Sequence, residues 1–156
     1  MQLLCRFARS NSVLARLEPK DESSLVPDGE LFFADGTVLV DLSGDHSLAP
    51  SHLRSSPAPG QAMKRRAAAK HDKYDSHASS CNSRFIPLVV DKFGTVQKDF
   101  VDLAQAIEDE ALHLGLCQAS PTRISVESFW ESFSSQWQID NARVVLQWLQ
   151  MWHRSA

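Results

Sequence analysis

Cysteine is scarce in this chain of 156 residues: Cys5, Cys81 and Cys117 are odd in number and far apart. That argues against a disulfide framework and fits a reducing compartment, nuclear or cytoplasmic. Apolar runs are short, none approaching the roughly eighteen residues that a membrane helix needs, so a soluble domain with no membrane partner is expected. There is no glycine-rich phosphate loop and no internal repeat, and Ser43-Gly44 lacks the frame of a nucleophile elbow. His71, His77 and Cys81 lack the paired spacing of a zinc site and read as surface histidines and a free thiol. The formal net charge of -3 argues, taken alone, against a polycationic nucleic-acid binder.

Charge of one sign is also missing locally, and this changes the reading of the total. Residues 21–53 hold seven acids and no Lys or Arg, whereas residues 54–84 hold seven basic residues against Asp72 and Asp75. An acidic block followed at once by a basic one is either two solvated faces or a cation-binding pocket beside a phosphate-binding rim. In the second case a bound divalent cation offsets part of the acidic block, and -3 no longer opposes a nucleic-acid partner.

The length suits one ordinary core. Residues 1–18 carry helix formers and an apolar set (Leu3, Leu4, Phe7, Leu14, Leu17) that predicts one or two short amphipathic helices. The Arg-bearing start also has the composition of a mitochondrial presequence, against which its apolar face continues into the domain pattern. Glu30–Ala34 and Thr37–Leu42 read as strands around an Asp35-Gly36 hairpin turn. Residues 44–61 read as a Pro/Gly/Ser-rich loop, Ala62–Ser80 as a helix with Lys64, Arg65, Arg66, Lys70 and Lys73, and Phe85–Asp91 as a buried strand. Apolar residues from Phe100 to Leu114 follow the helical period. Two further helices are expected at Val126–Trp137 and from Asn141 to Trp152, the second N-capped by Asp140. All four tryptophans lie in this tail and read as core or interface packing.

Chemistry concentrates in the middle of the chain. Asp28 follows Pro27 just before the first strand, and Asp41 stands inside TVLVDL, where a lone buried carboxylate costs several kcal/mol unless it is paired or bound to a cation. Two carboxylates from adjacent strands suit a hard cation such as Mg²⁺, and a nearby lysine suits the charge that develops on a phosphodiester under attack by water. Lys70 and Lys73, three apart on the next helix, share a face.

The run PDGELFFADGTVLVDLSGDHSLAPSH, followed by AAAKHDKYDSHASSCNSRFIPLVVDKFG, resembles the restriction-like endonuclease domain found after the reverse transcriptase in some non-long-terminal-repeat retrotransposons, a member of the PD-(D/E)XK nuclease superfamily. Pro27-Asp28, then residues 29–40, then Asp41 match its two acids, and Lys70-His71-Asp72-Lys73-Tyr74 matches its lysine element, which lies on the following helix. His46 is present, but Ser47 stands where the family has Pro, and Asp140 stands where Gly precedes Asn-Ala.

The resemblance spans about residues 15–150. It implies an α/β fold with a restriction-endonuclease-like mixed sheet flanked by helices, residues 1–120 forming the core and 121–156 a helical extension packed on it. It implies a DNA endonuclease dependent on Mg²⁺ or Mn²⁺, with Asp28 and Asp41 as cation ligands and Lys70 or Lys73 as the catalytic lysine. Glu18 would be an auxiliary acid on the first helix, Arg65 and Arg66 would follow the DNA phosphates, and a reverse transcriptase module would accompany the domain on a longer parent chain. The alternative is an inactive remnant with the same fold that binds nucleic acid or protein.

Overall fold

The computed structural model describes residues 1–19, 25–45, 60–115 and 123–155. In chain order these form α1 (Gln2–Ser10), β1 (Leu14–Leu17), β2 (Gly29–Phe33), β3 (Gly36–Asp45), α2 (Gln61–Ser80), β4 (Ser83–Asp91), α3 (Lys98–His113) and α4 (Val126–Ser155). The architecture is mixed α/β. The strands form one sheet in the order β1-β2-β3-β4, with antiparallel pairing from β1 to β3 and a parallel β3–β4 pair. A parallel pair needs a long crossover, and α2 lies within it.

Alternation along β3 separates two layers. Val38 and Val40 join the main core with Leu4, Phe7, Leu31, Leu88, Phe100, Ile107 and Phe129, drawn from α1, α3, α4 and the sheet. Leu39 faces the other way and packs with Tyr74, Ala78 and Phe85 beneath α2, and Met63 and Ala67 pack on Val89 there. Both faces of β3 and β4 are therefore covered. This is why TVLVDL and FIPLVVD read as nearly continuous apolar runs. In α3 the expected period holds for Phe100, Leu103, Ala104, Ile107 and Ala111, which are buried, but not for Leu114, which follows the helix and is exposed.

Four boundaries differ from the sequence expectations, each for a local reason. Leu14–Leu17 is an edge strand, not helix, because α1 stops at Asn11. That side chain is fully buried and donates to Phe7 O at 3.0 Å and Ile124 O at 2.9 Å, and Ser12 follows at φ 63°. The hairpin turns on Ala34-Asp35, one residue early: Phe33 pairs with Gly36, whose φ of 146° suits glycine. β3 runs on through Gly44 and Asp45, the start of the expected loop. Finally, α4 is unbroken from Val126 to Ser155. Asp140 is not a cap but a surface partner inside the helix, accepting from Gln136 Nε2 at 2.9 Å and Arg143 Nη1 at 3.2 Å.

Cys5 is buried and Cys81 exposed, both as free thiols; Cys117 and residues 46–59 of the expected loop, His46 and Ser47 among them, lie outside the described residues, while Gln61 already belongs to α2. Among the described residues no helix is long and apolar enough to cross a membrane.

Candidate active site

The strand register brings the two acids together. Gly29 pairs with Val40, so the next position outward sets Asp28 opposite Asp41 on the neighbouring strand. The Leu42 N–H donates to Asp28 Oδ2 at 2.7 Å, fastening that carboxylate to β3 one residue beyond Asp41. Since β2 begins at Gly29 while β3 and β4 continue to Asp45 and Asp91, the acids sit on a ledge where the sheet narrows. Asp41 shares the sheet face of Leu39, beneath α2, and is only 5% exposed.

α2 supplies its countercharge. Its buried residues Met63, Ala67, Tyr74 and Ala78 recur at helical spacing, and Lys70, one turn before Tyr74, lies on the same stripe. The Lys70 ammonium is consequently aimed at the sheet and forms an ion pair with Asp41 Oδ2. Tyr74 stacks on Phe85 with centroids 4.8 Å apart. Its hydroxyl accepts from Lys73 Nζ at 2.9 Å and donates to Val26 O at 3.3 Å, just ahead of Pro27-Asp28. One phenol thus ties α2 to the segment carrying the first acid. Lys73 Nζ also lies 4.5 Å from the Tyr74 ring centroid.

Burial pushes the Tyr74 phenol above its ordinary pKa, the Lys73 hydrogen bond pulls it down, and the nearby Asp41 carboxylate raises it again. The Lys73 ammonium is held above its ordinary value first by the bond to Tyr74, against a smaller effect of burial, with Asp41 and Asp28 adding attraction. An ammonium so held stays charged at neutral pH. It suits a phosphate oxygen and cannot serve as a proton acceptor. The two lysines therefore differ: Lys70 is engaged with Asp41, whereas Lys73 is exposed to solvent. Tyr74→Phe keeps the ring stack and deletes both hydroxyl bonds. It is expected to cost about 1–2 kcal/mol in urea unfolding, and an unchanged midpoint would show that these bonds carry nothing.

The other expected site residues are placed differently. Glu18 is not on a helix. It ends β1 in the left-handed region, φ 44°, and its N–H donates to Asp28 O at 3.1 Å. Its backbone is thereby beside the acid pair, yet among the described residues no three His, Cys, Asp or Glu side chains form a group able to hold a metal. Arg65 and Arg66 are exposed with Lys64 near the start of α2, upstream of Lys70. His71 is paired with Asp75 at 2.9 Å and meets the Phe85 ring edge-on. Sequence reasoning weighed Ser43 only as a nucleophile and set it aside; two residues after Asp41 on the same face, it is buried with a hydroxyl that finds no partner among the described residues. Its i+2 spacing from Asp41 was the available signal.

An all-oxygen pair of carboxylates fits Mg²⁺ or Mn²⁺, which bind through one or two carboxylates and retain water. A cavity of about 690 Å³ lies on the opposite sheet face, between α1 and α4, lined by Leu42, Leu88, Phe133 and Trp137 among others; none of Asp28, Asp41, Lys70 and Lys73 lines it. At the ledge Asp28 is half-buried and Asp41 buried. Comparison of the chain with family models and with curated proteins returns no match.

Proposed function

We propose that this domain is a divalent-cation-dependent nuclease of the restriction-like type that nicks DNA. The observation that carries the reading is the meeting of Asp28 and Asp41 across one strand pair with two lysine ammonium groups from one helix, Lys70 on Asp41 and Lys73 held by Tyr74. Asp28 and Asp41 would hold Mg²⁺ or Mn²⁺, which when bound activates water and offsets phosphate charge. Asp28 is oriented by the Leu42 N–H, Lys70 limits the repulsion between the acids, and Lys73 offers a permanent positive charge to a phosphate oxygen. Arg65 and Arg66 would extend the contact along the backbone. The resemblance to retrotransposon nuclease domains supplies the substrate class, and with it an expected reverse transcriptase partner.

One observation favours a second reading, a non-catalytic module with the same fold: Lys70 already occupies Asp41 Oδ2, the oxygen that a cation would contest. Plasmid relaxation separates the two. The nuclease reading predicts that purified protein with Mg²⁺ or Mn²⁺ converts supercoiled plasmid to open circles, that chelation stops it, and that either cation raises the melting temperature by mass action. Protein that neither nicks nor shifts with either cation is the module.

A further inference from the structure

Beyond the acid ledge the chain exposes an aromatic ring on a turn built to hold it still. Phe93, at the tip of this turn, is 65% exposed. Loop tips ordinarily carry small or polar residues, and a phenylalanine there gains nothing for folding. Yet the turn is heavily tied. Asp91 is buried, and its Oδ1 accepts from the N–H groups of Phe93 at 2.8 Å and Thr95 at 2.9 Å. Backbone bonds join Asp91 N to Thr95 O and Gly94 N to Asp91 O, with Gly94 at φ 87°. From α4, Trp137 Nε1 donates to Asp91 O at 2.9 Å and Asn141 Nδ2 to Lys92 O at 3.0 Å. A Cβ at Gly44 or Gly94 would meet the Trp137 ring at 3.6 or 3.7 Å, so this indole braces both the end of β3 and the turn.

Charge completes the surface. Lys92 Nζ lies over the Phe93 ring, 5.0 Å from its centroid, so a cation caps one face of an exposed ring. Asp41 pairs with Pro87 and Asp45 with Asp91, so the turn lies four residues along β4 from the acid row, roughly 13 Å at strand rise. That is a span of a few nucleotides. Exposed aromatics flanked by cations bind unpaired bases by stacking while the charge follows the backbone.

We infer that Phe93 and Lys92 form a stacking platform for an unpaired base a few nucleotides from the acid pair. The substrate class is then DNA with a single-stranded segment beside the reacting bond, not intact duplex. This rests on the nucleic-acid reading of the ledge, but its test needs no turnover. Fluorescence anisotropy in chelator, with a single-stranded oligonucleotide and a blunt duplex of the same sequence, reads binding alone. Phe93→Ala is expected to weaken single-strand binding about tenfold and leave duplex binding unchanged. Phe93→Trp should restore affinity, with tryptophan emission quenched on binding, and Phe93→Leu should not. Lys92→Ala should flatten the salt dependence of single-strand binding by about one charge. Single-strand affinity unchanged in Phe93→Ala, an equal loss on duplex, rescue by leucine, or no binding by the wild-type chain overturns the platform. Nicking by wild-type protein with any of these outcomes leaves the nuclease reading standing, and aromatic-dependent binding without nicking removes that reading alone.

Discussion

If the domain is the proposed nuclease, Asp41→Asn is expected to reduce cation-dependent plasmid nicking by more than about a hundredfold, because the amide gives up both the negative charge that would hold a cation and the partner of Lys70. The structure adds a complication that a sequence argument misses. Asp41 is 5% exposed and its Lys70 partner only partly accessible, so asparagine leaves a confined ammonium without its carboxylate. Breaking such a pair from one side costs on the order of 3 kcal/mol. Lost activity in the single variant therefore mixes chemistry with stability. The double variant Asp41→Asn/Lys70→Met separates them, because replacing both charges removes the orphaned cation. Its chemical-denaturation midpoint should return toward wild type while nicking stays absent. If nicking returns together with stability, Asp41 is a structural ion-pair partner and the proposed chemistry lies elsewhere.

Arg123→Ala is expected to destabilise the domain by about 3 kcal/mol, which corresponds to a fall of roughly 6–12 °C in melting temperature for a chain of this size. Arg123 is 5% exposed at its side chain and Glu108 14%, with Nη2 to Oε1 at 3.0 Å. Arg123 Nε donates to Asn11 Oδ1 at 3.1 Å, and the Asn11 amide in turn bonds the carbonyls of Phe7 and Ile124. Val126 N at the start of α4 also donates to Glu108 Oε1, at 3.4 Å. The network thus joins the end of α1, the middle of α3 and the entry to α4, and alanine leaves Glu108 and Asn11 facing each other without the guanidinium. Glu108→Gln, which keeps hydrogen-bonding capacity, should cost less than half as much. A melting temperature within a degree or so of wild type for Arg123→Ala would mean that the Phe7–Phe129 stack, at 4.5 Å, holds these helices by itself.

Much of the local structure was legible because its causes are local. The period of Phe100, Leu103, Ala104 and Ile107 is a helix facing a core, and TVLVDL with Asp41 in its body is a buried strand with a demand for a counterion. Errors fell where a distant contact decided. Leu14–Leu17 has helical propensity, but Asn11 finds Ile124 and closes α1 first, freeing the next residues to pair with Gly29–Phe32. Asp140 has the chemistry of a cap, but no glycine or proline interrupts α4 there and neighbouring side chains satisfy it. Glu18 looked helical and is instead held at a strand end by Asp28 O.

The candidate site divides along the same line. By itself the sequence determined the chemical inventory: two carboxylates thirteen residues apart around a hairpin, a helix carrying Lys70 and Lys73, and opposed blocks of charge. Alternation by two and by 3.6 are properties of neighbouring residues, so the elements bearing these groups could be read without knowing where they pack. Only the tertiary structure decided that Lys70, not Lys73, neutralises Asp41, that Tyr74 links Lys73 to the approach of Asp28, and that Phe93 is held exposed by Asp91 and Trp137. Two lysines on adjacent turns are nearly equivalent in sequence. They become different when one face of α2 meets the sheet, since burial makes a counterion obligatory for one and leaves the other free to act on what comes from solvent.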